Sequence, residues 1–213
     1  MTSLVNEYVD ALLNVEARPG EADRVIARAI ADGVDPRSLL LETLPAALHD
    51  IGDRWQAGEI SIGDEHLATV VVQGTMRDLA VRLERAPRLD RAIVVAAVAG
   101  ELHDTGARVL ADVLDANGWD VFFAGAATPT GALVHLVDER RPTAVALAIT
   151  LPRHLPALEA AVQALKTQVT DPPFVMVGGQ GCAGQRGLAE RLGADAHALT
   201  PDEALEVLAA VRN

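Results

Sequence analysis

Chemistry in this sequence is concentrated in one short run, Glu101-Leu102-His103-Asp104-Thr105-Gly106. A carboxylate two positions before a histidine can accept one ring N–H, fix the tautomer and leave the other nitrogen as a donor. The glycine three positions later lets a ligand or a backbone come close. The run follows residues 93–98, a continuous apolar stretch that reads as a buried strand. His103 therefore falls at the carboxyl end of a parallel sheet, where open α/β domains bind ligands.

Two other groups of residues have the right types for chemistry. Gly179-Gln180-Gly181-Cys182-Ala183-Gly184 matches the GxGxxG dinucleotide pattern, but after a fourth strand instead of a first, and without a ribose-binding acid at the expected distance. A close backbone or ligand approach is the simpler reading. His49, His66, His135, His154 and His197 show no H-E-x-x-H or other ligand spacing and read as surface or satisfied groups, which argues against a metal hydrolase.

The elements that must position His103 follow from the apolar periods. Residues 3–16 and 21–31 read as helices separated by Pro19-Gly20. Asp35-Pro36 reads as an N-cap followed by a first-turn proline, opening a third helix that runs to Gly58 and kinks at Pro45. Residues 62–84 form a fourth, and four helices with short connections predict a bundle. The segment 85–90 has the composition of a linker. After it, strands at 93–98, 121–123, 144–149, 174–177 and 196–199 alternate with helices at 105–117, 131–140, 156–168, 184–192 and 201–211, the last capped by Thr200. That alternation predicts a parallel sheet covered on both faces. The ligand edge would consist of loops 100–105, 125–130, 150–155 and 178–184. Two domains are expected, 1–87 and 88–213.

Composition bounds what such a molecule does. The 213 residues are 50% hydrophobic, enough for a sizeable core. With 18 Lys plus Arg against 30 Asp plus Glu, the charge of -12 offers no basic stripe for nucleic acid. Cys182 is the one cysteine, so neither a disulfide framework nor a thiolate cage can form. The first residues lack a leader pattern, and no stretch is apolar enough to span a bilayer, which makes a cytoplasmic protein the expectation.

Together these residues resemble the cobalamin (vitamin B12)-binding family, whose flavodoxin-like domain carries D/E-x-H-x-x-G, then S-x-L or S-x-T, then a Gly-Gly pair. Here the three fall at Glu101, His103 and Gly106, at residues 148–150, and at Gly178 and Gly179. Ala148 stands where the family usually has serine, so a hydrogen bond toward the nucleotide tail is expected to be missing, with Thr150 as a partial replacement. The run from Trp55 to His66 is similar to the helical cap of the cobalamin-dependent photoreceptors, as is glutamate at 101.

The resemblance implies a four-helix cap on a flavodoxin-like five-stranded parallel sheet. His103 would be the lower axial ligand to cobalt and Glu101 its hydrogen-bond partner. Gly106, Thr150, Gly178 and Gly179 would lie along the nucleotide tail, and Asp104 completes this part of the cofactor-binding set. Trp55, Glu65 and His66 would lie over the corrin's upper face. Photoreceptors often carry a histidine after the tryptophan; here it is Gln56, a poor cobalt ligand, so illumination would leave water or hydroxide there or recruit His66. The function so implied is a non-enzymatic light-sensing or regulatory module using adenosylcobalamin, signalling by cobalt–carbon photolysis. It would act through a protein partner or a homo-oligomer, with no direct nucleic acid and no membrane. The alternative is a corrinoid methyl carrier holding methylcobalamin and serving methyltransferases. A structural domain with a degenerate site is a third reading, for which Ala148 and Gln56 speak.

Overall fold

Apolar periods in the first third of the chain fold as helices in the computed structural model, which describes residues 2–211. Contacts divide the chain into two units, Met1–Glu84 and Arg85–Asn213. In the first, α1 (Thr2–Leu13), α2 (Glu21–Ala31), α3 (Pro36–Ser38), α4 (Leu44–Gln56) and α5 (Ile62–Ala80) enclose Leu12, Val25, Leu40, Leu44, Ile51, Val72, Met76 and Leu79. Tyr8 is buried with them, its hydroxyl 2.9 Å from Thr75 Oγ1, so its one polar atom is satisfied.

Local sequence explains the helix boundaries. Asp35 caps α3 by accepting from the Arg37 N–H at 3.1 Å. The expected kink at Pro45 takes the form of a π-helical stretch, Leu39–Thr43, closed by a bond from the Leu44 N–H to the Leu39 carbonyl. Proline supplies no N–H and crowds the carbonyl four residues back, and the wider turn accommodates both. Gly58, at φ 74°, stops α4, and the Glu59 N–H reaches back to the Arg54 carbonyl at 2.9 Å. Ser61 and Asp64 form a reciprocal capping box that starts α5. The fourth helix ends at Ala80, four residues short of the expected 84.

The second unit alternates β1 (Ala92–Val98), α6 (Thr105–Ala116), β2 (Asp120–Thr128), α7 (Thr130–Arg140), β3 (Ala144–Ala148), α8 (Leu155–Gln168), β4 (Phe174–Gly178), α9 (Leu188–Leu192), β5 (Ala196–Ala198) and α10 (Pro201–Ala209). All strand pairs are parallel in the order β2-β1-β3-β4-β5. One face packs Val94, Ala96, Val145, Leu147, Val175 and Val177 against α7, α8 and α9; the other packs Ile93, Val95, Ala146 and Met176 against α6 and α10. The direction in which strands are added to the sheet reverses between β1 and β3, so the loops after these strands meet at the switch point.

Two elements differ from expectation. β2 extends to Thr128 across most of the segment read as a loop, because register shifts against β1 absorb Gly125 at φ 81° and Ala127 at φ 48°. α9 covers only 188–192, since Gly184 and Gly187 take positive φ and interrupt the helical period. The linker-like residues form a strap bound to the end of α6. The Ala86 N–H donates to the Ala116 carbonyl at 2.8 Å and the Leu89 N–H to the Gly118 carbonyl at 2.9 Å. Arg85 and Arg88 grip Asp115 at 2.6 and 2.8 Å, and Arg88 also donates to the Trp119 carbonyl at 2.7 Å. Burial pushes the Asp115 carboxyl up, but the two guanidinium groups outweigh it and hold the carboxyl below its usual range.

Candidate functional site

The loop leaving β1 turns sharply at Gly100, φ 82°, and places Glu101 beneath the carboxyl edge of the sheet with none of its surface exposed. A buried carboxylate is costly unless its lone pairs are filled. Here they are. Oε1 accepts from the His103 backbone N–H at 3.0 Å and from His103 Nδ1 at 2.6 Å, while Oε2 accepts from the Thr150 and Leu151 N–H groups at 2.9 and 3.1 Å. Burial raises the Glu101 carboxyl, yet these donors prevail and hold it below its ordinary value, so it is ionised at neutral pH. An ionised carboxylate only accepts, which places a proton of His103 on Nδ1; in the neutral imidazole the lone pair is then on Nε2. The His103 side chain is 54% exposed. Its loop is tied to the neighbouring strand by the Ala127 N–H, which donates to the Glu101 carbonyl at 2.8 Å. Ala127 pays for that contact with a left-handed backbone, a conformation that costs a non-glycine residue about 1–2 kcal/mol and that clusters at functional sites.

Thr150 takes part through its backbone. Its Oγ1 lies 3.4 Å from the His103 carbonyl, and its N–H reaches Glu101. Asp104 occupies the N-cap position of α6 but makes no capping bond.

The glycines divide into two kinds. Nothing lies within 4 Å of where a Cβ on Gly106 would stand, so space beside the start of α6 is open. A Cβ on Gly178 would meet the Ala198 carbonyl oxygen at 2.1 Å, and one on Gly179, at φ 91°, the Ile149 oxygen at 2.4 Å. Those two glycines are required by the protein's own backbone, which leaves no room for a side chain at either position. Sequence reasoning missed a row of small residues paired across four strands, Ala97–Ala148–Gly178–Ala198, on the face toward α6 and α10. A small residue at the end of each strand was the available signal.

In the helical unit, Trp55 stands in the last turn of α4 with 44% of its surface exposed. Gln56 beside it is exposed. His66 Nδ1 lies 2.6 Å from Glu65 Oε2, Thr69 donates to Glu65 Oε1 at 3.0 Å, and the His66 side chain is 71% exposed. Of the remaining histidines, His197 is not satisfied, because its Nε2 is enclosed in β5 without a partner. His154 Nε2 stands 3.8 Å from Glu101 Oε2 and belongs to the site. Among the described residues no cluster of His, Cys, Asp and Glu could hold a metal ion by itself, and no helix is long and apolar enough to cross a membrane.

Comparison with known proteins bears on this geometry. Residues 91–209 match the family model described as the B12 binding domain, and residues 4–79 match a second model of the same description. The trimethylamine corrinoid protein of Methanosarcina barkeri is 22% identical over 196 residues, covering 90% of this chain and 89% of the relative. The HTH-type transcriptional repressor CarA of Myxococcus xanthus is 32% identical over 154 residues, covering 72% of this chain and 52% of the repressor. Among solved structures, the monomethylamine corrinoid protein of Methanosarcina barkeri superposes with a TM-score of 0.84 at 20% identity, covering 99% of each chain. A chain of the methanol:cobalamin methyltransferase complex MtaBC from the same organism gives 0.53 at 16%, covering 98% of this chain and 79% of that one.

These findings overturn the light-sensing expectation. The relatives matched along nine-tenths of the chain are corrinoid proteins named for methylated amines, whereas the repressor match spans about half of that protein. The expectation rested on the run from Trp55 to His66 and on glutamate at 101, and Gln56, a poor cobalt ligand, already departed from it. The preference for adenosylcobalamin falls with it.

Proposed function

Because the chain belongs to the family of B12 binding domains, matched over residues 91–209, we propose that it is a corrinoid carrier protein that holds a methyl-bearing cobalamin and presents it to separate methyltransferases. The observation that carries this reading is the His103 imidazole, with Nδ1 committed to a buried carboxylate and Nε2 free and exposed. That donor set fits cobalt, for which imidazole is a suitable ligand. When bound, a corrin would be held through the His103 imidazole and would supply a metal able to accept and give up a methyl group.

The chain's own residues do the rest. Glu101 fixes the tautomer of His103 and raises the basicity of Nε2, the usual effect of an outer carboxylate on a ligating histidine. The open space beside Gly106 and the row Ala97–Ala148–Gly178–Ala198 are the proposed seat of the nucleotide tail, where side chains of a methyl group or less leave a flat wall. Asp104 and Thr150 flank that entrance. In the helical unit Trp55, Glu65 and His66 are the proposed cofactor contacts. The protein so described carries a group and leaves catalysis to its partners. Support comes from relatives named as corrinoid proteins for methylated amines and from a structural neighbour described as a methyltransferase complex.

The test is the absorption spectrum of the purified full chain mixed with methylcobalamin in the dark, with His103→Ala in parallel. The expected result is an imidazole-ligated spectrum in the parent protein that is lost in the variant. Identical spectra, or no binding, would refute the assignment. A carrier should also lose its methyl group to a thiol acceptor only when a methyltransferase is added.

A further inference from the structure

Arginines stacked on aromatic rings line one edge of the sheet. Arg91 stands over the Trp119 ring at 5.7 Å, Arg140 over Phe122 at 5.1 Å and Arg108 over Phe123 at 4.1 Å. Trp119 leads into β2, and β2 is the outermost strand on its side. Phe122 packs toward α7, α8 and α9 and Phe123 toward α6 and α10. Arg140, from the end of α7, and Arg108, from α6, therefore flank the strand on opposite faces. Both are exposed. Among the described residues neither makes a hydrogen bond or ion pair; Asp112, one turn along α6, attracts Arg108 without bonding it. The strand between them is regular in its first half, where residues 120–123 pair with 92–95 without a shift. The Asp120 N–H donates to the Arg91 carbonyl at 2.8 Å. Successive residues of a strand direct their main-chain groups to alternate sides, so Val121 and Phe123 direct N–H and C=O away from β1. Edges are commonly blunted by brevity, lysine or proline. β5 is three residues long, whereas β2 runs nine with neither lysine nor proline.

We propose that the 120–123 edge of β2 is a docking strand for an extended acidic segment of a partner protein, paired through the main chain with Val121 and Phe123 and setting carboxylates against Arg108 and Arg140. The proposal stands whether or not His103 holds cobalt. Strand addition takes its affinity from main-chain bonds and its specificity from alternate side chains. Adjacent residues of an added strand point to opposite faces, so two consecutive acids reach both guanidinium groups at once. A guanidinium stacked on a ring still presents its planar fork of N–H groups to a carboxylate. Charge selects the occupant. The chain carries -12 overall, yet this strand is flanked by two guanidinium groups to which no carboxylate is bonded. Of the acids nearby, Asp115 is held by Arg85 and Arg88, and Asp120 lies at the foot of the strand. A second copy of β2 would bring the arginines of both copies together, and like charges across a strand pair are destabilising. The edge is thus suited to an acidic strand and not to itself.

The test uses the full chain and three end-capped peptides: Thr-Val-Glu-Glu-Val-Thr, and the same sequence with Gln-Gln or Lys-Lys at its centre. Each is titrated at low salt while the backbone amide NMR signals of β2 are followed. The Glu-Glu peptide is expected to move the outward amides of Val121 and Phe123 more than the inward amide of Phe122. The Gln-Gln peptide should bind about tenfold more weakly, roughly threefold for each exposed arginine–carboxylate pair, and the Lys-Lys peptide should not bind. Arg108→Gln and Arg140→Gln should each weaken the Glu-Glu peptide by about threefold and leave the Gln-Gln peptide unchanged. Arg140→Lys, which keeps the charge, should lose less than Arg140→Gln. The peptide series on the parent protein decides alone if a variant does not fold. Unmoved Val121 and Phe123 amides with the Glu-Glu peptide, equal affinity for Glu-Glu and Gln-Gln, or folded arginine variants that bind like the parent would each overturn the proposal. So would a dimer of the parent chain in sedimentation that protects these two amides from exchange, since the occupant would then be a second copy.

Discussion

Replacing Glu101 with glutamine is the sharpest perturbation of the site, because four N–H donors converge on two oxygens and an amide offers only one. If the amide nitrogen took the place of Oε2 it would face two backbone donors that cannot rearrange. The better arrangement puts it at Oε1, where the imidazole of His103 can move its proton to Nε2 and accept from the amide through Nδ1. One backbone N–H, that of His103, is then left without its partner, at about 1–3 kcal/mol, and the charge-assisted bonds lose part of their strength. A total near 3 kcal/mol corresponds to a fall in Tm of roughly 6–12 °C for a chain of this length. The same proton shift removes the lone pair from Nε2, so Glu101→Gln should lose imidazole ligation even with His103 intact. The sign of the pH dependence follows from the lowered carboxyl. Its stabilisation is fully present above the ordinary value of 4.5 and is lost as pH falls through the lower folded value. The difference between parent and variant should therefore be constant above that range and shrink below it. Thermal unfolding across an acid series, with the hydroxocobalamin spectrum alongside, reads all three effects. A variant with the parent's Tm, acid profile and spectrum would refute the account of the site.

Gly106→Ala should fold with unchanged or slightly raised stability, by about 0.5–1 kcal/mol for alanine over glycine in a helix, yet bind cobalamin more weakly if the tail passes there; unchanged affinity in a titration would remove Gly106 from the site. Gly178→Ala should instead destabilise the cofactor-free protein, because its Cβ would meet the Ala198 oxygen at 2.1 Å, and a normal Tm would contradict the β4–β5 packing. Tyr8 is the single tyrosine and burial pushes it up to about 12, so phenolate absorbance should lag in the folded protein relative to the unfolded one. Since the unfolded group gives up its proton first, stability should fall as pH rises from 10.0 toward that value. Cys182 is buried, with its thiol pushed up to about 11, and should resist thiol reagents at neutral pH until the protein unfolds; rapid native labelling would show that the glycine loop opens.

What could be read from the chain and what could not divide along a physical line. The span of α2, the Ser61–Asp64 start of α5 and the Thr200 cap of α10 depend on neighbours in sequence, and side-chain types record them. The Glu101–His103 contact is of the same kind. Thr150 and Leu151 fill the other carboxylate oxygen through main-chain N–H groups some fifty residues away, and a backbone donor has no signature in residue type. His154 was unreadable for the same reason of distance. Apolar periodicity also began a helix at Gly184, four residues before the backbone forms one, because a period cannot see a positive φ. Trp55 shows the converse, since a hydrophobic residue is not a buried one until something is packed on it.

The strap of residues 85–89 decides where this chain can be divided. A fragment begun at residue 91, where the family match starts, would strip Asp115 of both guanidinium partners and leave the Ala116, Gly118 and Trp119 carbonyls without their donors. Pro87 also presses so near Gly118 that a Cβ there would meet its oxygen at 2.2 Å, so the strap and the α6–β2 turn fit as one piece. The natural seam for a domain graft or a gene fusion is therefore the short stretch after Ala80 and before Arg85, and a graft that respects it transplants the strap along with the sheet.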